Sequence, residues 1–248
     1  MVNSVCMATY NGSSYIAEQI QSILEQLGES DELIISDDGS NDGTINIVKS
    51  NDDPRIILVH GKGQGLIRNF ENALSYAKGD IIFLTDQDDI WLKGKVNQCN
   101  KQLENEKVSL VVTDCKVVDS TLNTLSPSFF QLRHSGGGLL SNLTKNSYLG
   151  CCMAFKREVL ERSLPFPERI PMHDWWLGLN SALIGNVVFL KTPLLLYRRH
   201  GANASSTAEV SKYNFFEKLT HRLFLSFYLL KIVFKNNIKK LNSINKIP

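Results

Sequence analysis

The sequence predicts an α/β protein built on an open, mostly parallel, twisted sheet that is flanked by helices. Over roughly the first 90 residues, short apolar runs alternate with stretches whose apolar residues recur at offsets of three and four. This alternation is typical of an open α/β sheet. The run 81–85 is fully apolar, as expected for a strand buried on both faces of a parallel sheet. Polar clusters follow three of the predicted strands, and such sheets bind ligands at the carboxyl ends of their strands.

The elements of the first half follow from these patterns. The predicted strands are apolar and rich in β-branched residues, and they cover residues 4–9, 32–36, 55–60 and 81–85. The predicted helices have one apolar face, and they cover residues 16–27, 44–49 and 67–77. Asp89 is expected to act in part as the N-cap of a further helix that begins at Ile90 and Trp91.

The second half is less regular. Helices are predicted at 96–103, 157–162 and 175–183, and strands at 109–113, 151–155, 187–190 and 194–197. On the strand predicted at 151–155, the adjacent Cys151 and Cys152 would point to opposite faces. The stretch 121–146 has no regular pattern and contains a run of three glycines, so we expect a functional loop that could close over a ligand.

Composition limits the class of protein. The chain has 248 residues, of which 43% are hydrophobic and 21% charged, as is ordinary for one globular domain with a tail. The five cysteines lack metal-binding spacing, which predicts reduced thiols and no structural zinc. No apolar run is long enough to span a bilayer, and the start of the chain lacks the pattern of a signal peptide, so we expect a cytoplasmic protein.

Charge divides the chain into a body, 1–211, and a tail, 212–248. The tail contains eight Lys or Arg and one Glu, whereas the body carries a net charge of −5. An acidic body disfavours nucleic-acid binding, which needs clustered Lys and Arg. We predict that the tail is an amphipathic basic helix, associated peripherally with the inner face of an anionic membrane. The alternative is a helix that docks on the domain core or on a second subunit, so that an oligomer is possible.

Two acidic clusters are candidate binding sites. Asp86 and Asp88 follow a buried strand at alternate positions, so their carboxylates can converge on a hard divalent cation, Mg²⁺ or Mn²⁺. The alternative is an acidic turn that caps a helix. Asp37 and Asp38 close another strand and could accept hydrogen bonds from a nucleoside, or could simply form a tight turn. Tyr10, at the end of the first strand, could stack on a nucleobase or belong to the packing.

Other residues are candidates for catalysis or for binding a charged ligand. Asp174 could be the general base for a hydroxyl nucleophile, or a helix N-cap. His200 could be a third metal ligand or a diphosphate contact. Arg68 and the pair Arg198 and Arg199 could stabilise the charge of a departing diphosphate.

Taken in order, these motifs resemble those of the family 2 glycosyltransferases, which have the GT-A fold. The resemblance covers about residues 3–205. It is carried by Val5 to Gly12, Ile35 to Thr44, Gly65 to Asp80, Ile82 to Trp91, Gly150, His173 with Asp174, and Tyr197 to His200. The form of the motif from Asp86 to Trp91 is similar to that of bacterial rhamnosyltransferase-like enzymes of surface polysaccharide synthesis, such as O-antigen or capsule.

The resemblance implies a role for each matching residue. Asp86 and Asp88 match the DxD motif, which binds a metal ion and through it the donor diphosphate, and His200 matches a histidine that can complete the metal site. Asp174 matches the acidic base. The family often has Glu-Asp where this chain has His-Asp, and His173 is the other candidate base. The residues implied in donor binding are Thr9, Tyr10, Asn11, Asp37, Asp38, Gly39, Arg68, Asn69 and Asp86.

The predicted function is therefore that of a metal-dependent inverting glycosyltransferase. Residues 1–115 would bind a nucleotide-diphosphate sugar, such as dTDP-rhamnose or a UDP-sugar. Residues 116–211 would bind the acceptor, a hydroxyl of a lipid-linked saccharide or polysaccharide. One alternative is a nucleotidyltransferase, although the loop 8–12 lacks the Lys or Arg expected of a phosphate-binding loop. The other is a membrane-associated protein that binds nucleotide sugars without turning them over.

Overall fold

A single sheet organises the molecule. The computed structural model describes residues 1–201 and 214–244, and in the second range it describes the side chains of 214 and 216–234. The strands of this part are β1 (Asn3–Thr9), β2 (Glu32–Asp37), β3 (Ile56–His60), β4 (Ile81–Asp86), β5 (Ile90–Trp91), β6 (Val108–Val118), β7 (Thr124–Ser126), β8 (Met153–Lys156) and β9 (Asn186–Arg198). The helices are α1 (Ile16–Leu24), α2 (Thr44–Lys49), α3 (Leu66–Tyr76), α4 (Lys95–Leu103), α5 (Phe129–Arg133), α6 (Leu139–Thr144), α7 (Arg157–Ser163), α8 (His173–Ile184) and α9 (Phe215–Ile244).

The first half of the chain forms the parallel part of the sheet. The strand order is β3-β2-β1-β4-β8-β6-β9-β5, with β7 paired to β6. β1 lies between β2 and β4 and runs parallel to both. All of β1 and β2 and nearly all of β4 are buried, which is why an apolar run fills the middle of β1 and of β2 and most of β4. The predicted open α/β sheet flanked by helices is confirmed.

The second half adds a mixed part to the same sheet. β8 runs antiparallel to both β4 and β6, whereas β6 and β9 are parallel. The region predicted to be an irregular loop, 121–146, contains β7, α5 and α6. Because β8 pairs with β4, the second half is joined to the edge of the parallel part.

The predicted helix start at Ile90 and Trp91 is wrong. These two residues form β5, which pairs antiparallel with β9. Asp89 does not cap a helix, because its carboxylate accepts a hydrogen bond from the backbone N–H of Arg198 at 3.0 Å. A pairing between residues about a hundred positions apart decides this structure, and no local pattern reveals it.

Two further local predictions are wrong. Cys151 and Cys152 are both buried in a 3-10 turn, Gly150–Cys152, that precedes β8, so they are not on opposite faces of a strand. The two strands predicted at 187–190 and 194–197 are the single strand β9. The pairing of β9 with β6 shifts register between Leu190 and Pro193, where the sequence pattern is interrupted.

The helix α9 docks on the body through one face. This agrees with the alternative prediction for the tail, a helix that docks on the domain core. Leu225 and Leu229 are buried, and the ring of Tyr228 lies edge-on to Trp176 with centroids 6.3 Å apart. Arg222 donates to the carbonyl of Thr144 at 2.6 and 3.1 Å. The described helices include none that is both long and apolar enough to cross a membrane. The predicted boundary between 211 and 212 lies outside the described residues.

Candidate active site

The carboxyl ends of β1, β2 and β4 meet at one edge of the sheet. Thr9 of β1 lies opposite Asp37 of β2, and Ala8 lies opposite Asp86 of β4. A cavity of about 550 Å³ opens at this edge. Its lining includes these residues predicted to bind donor or metal: Thr9, Tyr10, Asp38, Gly39, Asn69, Asp86 and Asp88.

Asp37 and Asn11 shape the turn that follows β2. The Asp37 carboxylate accepts hydrogen bonds from the backbone N–H groups of Gly39 at 3.1 Å and Ser40 at 2.9 Å. Asn11 donates its backbone N–H to the Ser40 hydroxyl at 2.8 Å and accepts the N–H of Asn41 at 3.0 Å. Both residues therefore support the cavity wall from behind.

Asp38 faces the cavity and also holds a glycine-rich turn. Its carboxylate accepts the backbone N–H groups of Gly63 at 2.9 Å and Gly65 at 2.7 Å. Gly63 and Gly65 have φ values of +66° and +84°, a region that side chains disfavour. A Cβ at Gly61 would lie 2.6 Å from the Asp38 carboxylate. The glycines of this turn thus allow the close approach of Asp38.

Two neighbouring residues at the start of α3 have different surroundings. Asn69 is buried, and its Nδ2 donates to the carbonyls of Thr9 at 3.1 Å and Ser36 at 2.8 Å, which ties β1 to β2. Arg68 forms an ion pair with Glu71 and does not line the cavity. Its part in donor binding stays a prediction.

Asp86 and Asp88 line the cavity, and His200 lies behind them against Asp88. His200 Nε2 lies 2.8 Å from Asp88 Oδ2, although the two residues are 112 positions apart in sequence. Burial, together with the negative charges of Asp88 and Asp174, raises the pKa of Asp86 to about 8. A cation between these carboxylates would relieve their repulsion. Carboxylate oxygens and an imidazole nitrogen are ligands that suit Mn²⁺ or Mg²⁺, so the residues fit a divalent ion.

The pairing of β5 with β9 explains how His200 reaches Asp88. It brings the carboxyl end of β9 next to the turn that follows β4. There, Arg198 Nε donates to the carbonyl of Asp88 at 2.9 Å, and its backbone N–H donates to Asp89. The buried guanidinium also pairs with Glu18 at 2.7 Å. Arg198, expected from sequence to contact a diphosphate, therefore holds the acidic turn in place.

A second group of ligand atoms shares Asp86. In the described part of the chain, ligand atoms of Asp86, Asp89 and Cys151 lie within 4.8 Å of one another. Burial raises the pKa values of Asp89 and Cys151 well above their ordinary range, which favours their protonated forms. Asp88 lines the cavity, and His200 contacts the Asp88 carboxylate. Asp86 and Asp88, the two carboxylates that line the cavity, thus suit a hard cation better than a group that contains a thiol.

Asp174 lies in the first turn of α8. Burial raises its pKa to about 7, while hydrogen bonds from the backbone N–H groups of Trp175 and Gly150 and from the Asn146 amide lower it. The amide nitrogen of Asn146 is 3.4 Å from Asp174 Oδ1. A carboxyl group with this pKa can accept a proton at neutral pH. The N-cap alternative is wrong, because the residue that precedes the helix is Met172.

His173 is poorly suited to be the base. Its ring is buried and stacks on Phe70 with centroids 3.9 Å apart. Burial lowers its pKa to about 3, and neither ring nitrogen has a hydrogen-bond partner in the described structure. The geometry therefore favours Asp174 over His173.

Sequence reasoning gave no role to Gln87 or Asn146. Gln87 lines the cavity, and its amide contacts the end of β1. Its position between the two aspartates of the motif indicates that Gln87 lies near the site, but the sequence does not predict the direction of its side chain. Asn146 lies in the irregular region, where the sequence offers no pattern that points to Asp174.

Comparison with known proteins identifies the class. The family model described as Glycosyl transferase family 2 matches residues 4–164. Among curated proteins, the chain is 29% identical over 238 residues to the dTDP-rhamnosyl transferase RfbG of Shigella flexneri, covering 83% of this chain and 77% of that protein. It is 29% identical over 190 residues to WfgD of Escherichia coli, named UDP-Glc:alpha-D-GlcNAc-diphosphoundecaprenol beta-1,3-glucosyltransferase, covering 74% of this chain and 71% of that protein.

Solved structures share the fold. TarS 1-349 of S. aureus, in complex with UDP-GlcNAc, superposes with a TM-score of 0.70 at 21% identity, covering 91% of this chain and 66% of that chain. The mannosyltransferase PcManGT of Pyrobaculum calidifontis, in complex with GDP-Man and Mn2+, superposes with a TM-score of 0.59 at 25% identity, covering 77% of this chain and 54% of that chain. The chain thus spans about two thirds or less of the length of these structures.

The sheet with its ligand-binding edge and the shared architecture define a glycosyltransferase of the GT-A fold. The chain belongs to glycosyltransferase family 2, since the family model matches more than half of it. The family and the enzyme class predicted from the motifs are confirmed, and the nucleotidyltransferase alternative is not supported.

Proposed function

We propose that the chain transfers a sugar from a nucleotide-diphosphate donor to a hydroxyl of a lipid-linked saccharide, with inversion and with a divalent cation. The observation that carries this proposal is that Asp86 and Asp88 line the cavity and His200 contacts Asp88, with Asp174 close enough to raise the pKa of Asp86. One group of residues can hold a cation, and a separate carboxyl group can accept a proton.

The donor nucleoside would lie between the ends of β1 and β2. Tyr10 lines the cavity and is 57% exposed, so its ring can stack on a nucleobase. Asp38, Gly39 and Asn69 belong to the same lining. The relatives support the donor class, because RfbG is named for dTDP-rhamnose and WfgD for UDP-Glc. A dTDP- or UDP-sugar is accordingly the proposed donor.

Asp86, Asp88 and His200 would hold the cation. When bound, it supplies positive charge that stabilises the departing nucleoside diphosphate. The Mn2+ in PcManGT supports this part of the proposal. Arg198 supports this site by holding the turn that carries Asp88.

Asp174 would accept the proton of the acceptor hydroxyl. The acceptor oxygen forms a bond to the anomeric carbon while the bond from that carbon to the diphosphate breaks. This single displacement inverts the anomeric centre and needs no nucleophile from the enzyme. A base with a pKa of about 7 is well matched to this step at neutral pH.

A lipid-linked acceptor is supported by α9 as well as by the name of WfgD. The outer face of α9 is apolar, and its residues recur at helical offsets of three and four with exposed fractions between 42 and 76%: Phe216, Leu219, Leu223, Phe227, Leu230 and Phe234. An exposed apolar stripe of this size is unusual for a surface that faces only water. The tail also has eight basic residues and one acidic residue, which matches anionic headgroups. We propose the inner face of an anionic membrane as its partner.

Vesicle co-sedimentation tests the membrane proposal. The full chain should sediment with vesicles of phosphatidylglycerol and phosphatidylethanolamine, and less with neutral phosphatidylcholine. Replacing Phe227, Leu230 and Phe234 by Ser should abolish binding while Leu225 and Leu229 keep the helix docked. Leu125→Ser, at a residue that is 62% exposed on β7, is the matched control. The proposal would be contradicted if the wild type did not bind vesicles but formed a concentration-dependent dimer that the triple variant does not form. That result would indicate that a second copy of the chain covers the apolar stripe.

Donor turnover tests the catalytic proposal. We expect dTDP-rhamnose or UDP-glucose, and not GDP-mannose, to release its nucleoside diphosphate in the presence of Mn²⁺ or Mg²⁺ and a diphosphoundecaprenol-linked sugar. Asp88→Asn should lower the rate by about 10²- to 10³-fold, since it removes charge stabilisation at the leaving group. Asp52→Asn, at an exposed aspartate, is the control and should leave the rate unchanged. No turnover of any donor would instead favour a binding protein without activity.

A further inference from the structure

Gln87 stands between the two carboxylates of the DxD motif, yet its side chain lies against the end of β1. Its Oε1 accepts the backbone N–H of Tyr10 at 2.9 Å and also the hydroxyl of Thr9. Its Nε2 donates to the carbonyl of Tyr10 at 3.0 Å. Backbone pairing of β1 with β4 ends at Ala8 and Asp86. The amide of Gln87 therefore satisfies the next polar groups of β1, where the sheet no longer does.

The amide of Gln87 lies close to the backbone of Gly12. A Cβ at Gly12 would lie 2.3 Å from Oε1 of Gln87 and 2.5 Å from its Cδ. Glycine leaves room for this close approach, and a side chain at position 12 would displace the Gln87 amide. The backbone N–H of Gly12 is itself held by the hydroxyl of Thr44 at 2.8 Å. Three hydrogen bonds thus hold the Gln87 amide against Thr9 and Tyr10.

We propose that Gln87 is a positioning residue that couples the nucleoside subsite to the cation site. This inference rests on the proposed function. The residues on either side of Gln87 are the proposed cation ligands, so a bound cation fixes the turn that carries Gln87. Its amide holds the backbone of Tyr10, whose exposed ring lines the nucleoside side of the cavity. A cation would therefore order Tyr10 as well as bind the diphosphate.

The signature of this coupling is an effect of the cation on a ligand that cannot touch it. A nucleoside has no phosphate, so direct contact with the cation is absent. We expect Mn²⁺ to raise the affinity of the wild type for thymidine or uridine by about fivefold or more, a common size for coupling between two sites. By reciprocity, the nucleoside should raise the affinity for Mn²⁺ by the same factor. Titration calorimetry for the nucleoside and Mn²⁺ electron paramagnetic resonance for the ion measure the two directions.

Gln87→Met is the decisive variant, because methionine has a similar length and no amide. It should bind the nucleoside diphosphate with Mn²⁺ but lose the effect of Mn²⁺ on nucleoside affinity. Gln21→Met, on the exposed side of α1, is the matched control and should behave as wild type. Should Gln87→Met fail to fold, Thr9→Val removes one of the three hydrogen bonds and should reduce the effect in part.

The outcomes separate this inference from the proposed function. If the wild type binds a nucleoside diphosphate with Mn²⁺ but shows no Mn²⁺-dependent nucleoside binding at millimolar concentration, the coupling is disproved. The same conclusion follows if Gln87→Met, or Thr9→Val in its place, keeps the full effect. If no nucleoside diphosphate binds the wild type with Mn²⁺ at all, the proposed function itself is contradicted.

Discussion

Asp174 illustrates how its surroundings can give a single carboxyl group a pKa suited to proton transfer. Burial disfavours the charged form, whereas hydrogen bonds from Trp175, Gly150 and Asn146 favour it, and the balance raises the pKa to about 7. Its neighbour His173 lies against Phe70, and burial lowers its pKa to about 3. Adjacent residues thus have opposite shifts, because the charged forms of an acid and a base are both disfavoured by burial.

Asp174→Asn should leave donor binding intact and remove transfer. The amide has nearly the same shape but cannot accept the proton, so we expect kcat to fall by about 10²- to 10⁴-fold. The affinity for the nucleoside diphosphate with Mn²⁺, measured by calorimetry, should change little. A variant with a normal rate would show that another group accepts the proton.

The rate should also depend on pH through Asp174. The base must be deprotonated to work, so kcat/KM should fall by about tenfold per pH unit below about pH 7 and level off above it. The measurement is an initial-rate profile of transfer at fixed Mn²⁺. A profile that is flat between about pH 5 and 8 would contradict a base with this pKa.

At the scale of elements, the pairing of β5 with β9 creates the proposed cation site. Arg198 fixes this pairing through the Asp88 carbonyl, the Asp89 carboxylate and the Glu18 carboxylate. Removing the Arg198 side chain could change the affinity for the cation in two opposite ways. Loss of a nearby positive charge alone would strengthen cation binding, whereas loss of the support of the turn would weaken it.

We expect the second effect to dominate in Arg198→Met. The affinity for Mn²⁺ should fall by about tenfold or more, as is usual when support behind a metal ligand is removed. Mn²⁺ electron paramagnetic resonance measures the affinity, and circular dichroism verifies that the variant is folded. A rise in Mn²⁺ affinity would mean that Arg198 acts only through its charge.

The elements that the sequence could predict are those with a strong local pattern. Strands β1, β2 and β4 are buried on both faces, and α2 has a clear apolar face, so the first half was predictable within a few residues. The strand β5 has only two residues, and its structure depends on β9, which is distant in sequence. Its prediction as a helix start failed for this reason.

The same division holds for the site. The meeting of Asp86 with Thr9 and Asp38 follows from the rule that parallel strands end at one edge. The contact of His200 with Asp88 depends on the β5–β9 pairing, so the sequence could name His200 as a candidate ligand but could not place it. Arg68 has the charge expected of a diphosphate contact, but it pairs with Glu71.

At the scale of the whole molecule, buried carboxyl groups tie stability to pH. Burial raises the pKa from 3.8 to about 8 for Asp86 and to about 7 for Asp174. Between the ordinary and the raised values, the folded protein binds more protons than the unfolded chain. The free energy of unfolding therefore decreases as pH rises through this interval.

We expect the melting temperature of the cation-free protein to fall between about pH 5 and 8. Mn²⁺ should raise it most at the upper end, where fewer folded molecules carry the Asp86 proton that the cation must displace. Asp86→Asn should make the fall shallower, and differential scanning calorimetry in EDTA measures both proteins. An equal slope for the two would contradict a raised pKa at Asp86.

The most direct test of the account is whether Asp86, Asp88 and His200 hold a cation that binds the donor diphosphate. Calorimetry with UDP, dTDP and GDP, each with and without Mn²⁺, should show one nucleotide that binds the wild type in a cation-dependent way. Asp88→Asn and His200→Ala should each weaken this binding by about 10- to 100-fold. Binding that is equally tight without Mn²⁺, and unchanged in both variants, would contradict the proposed cation site.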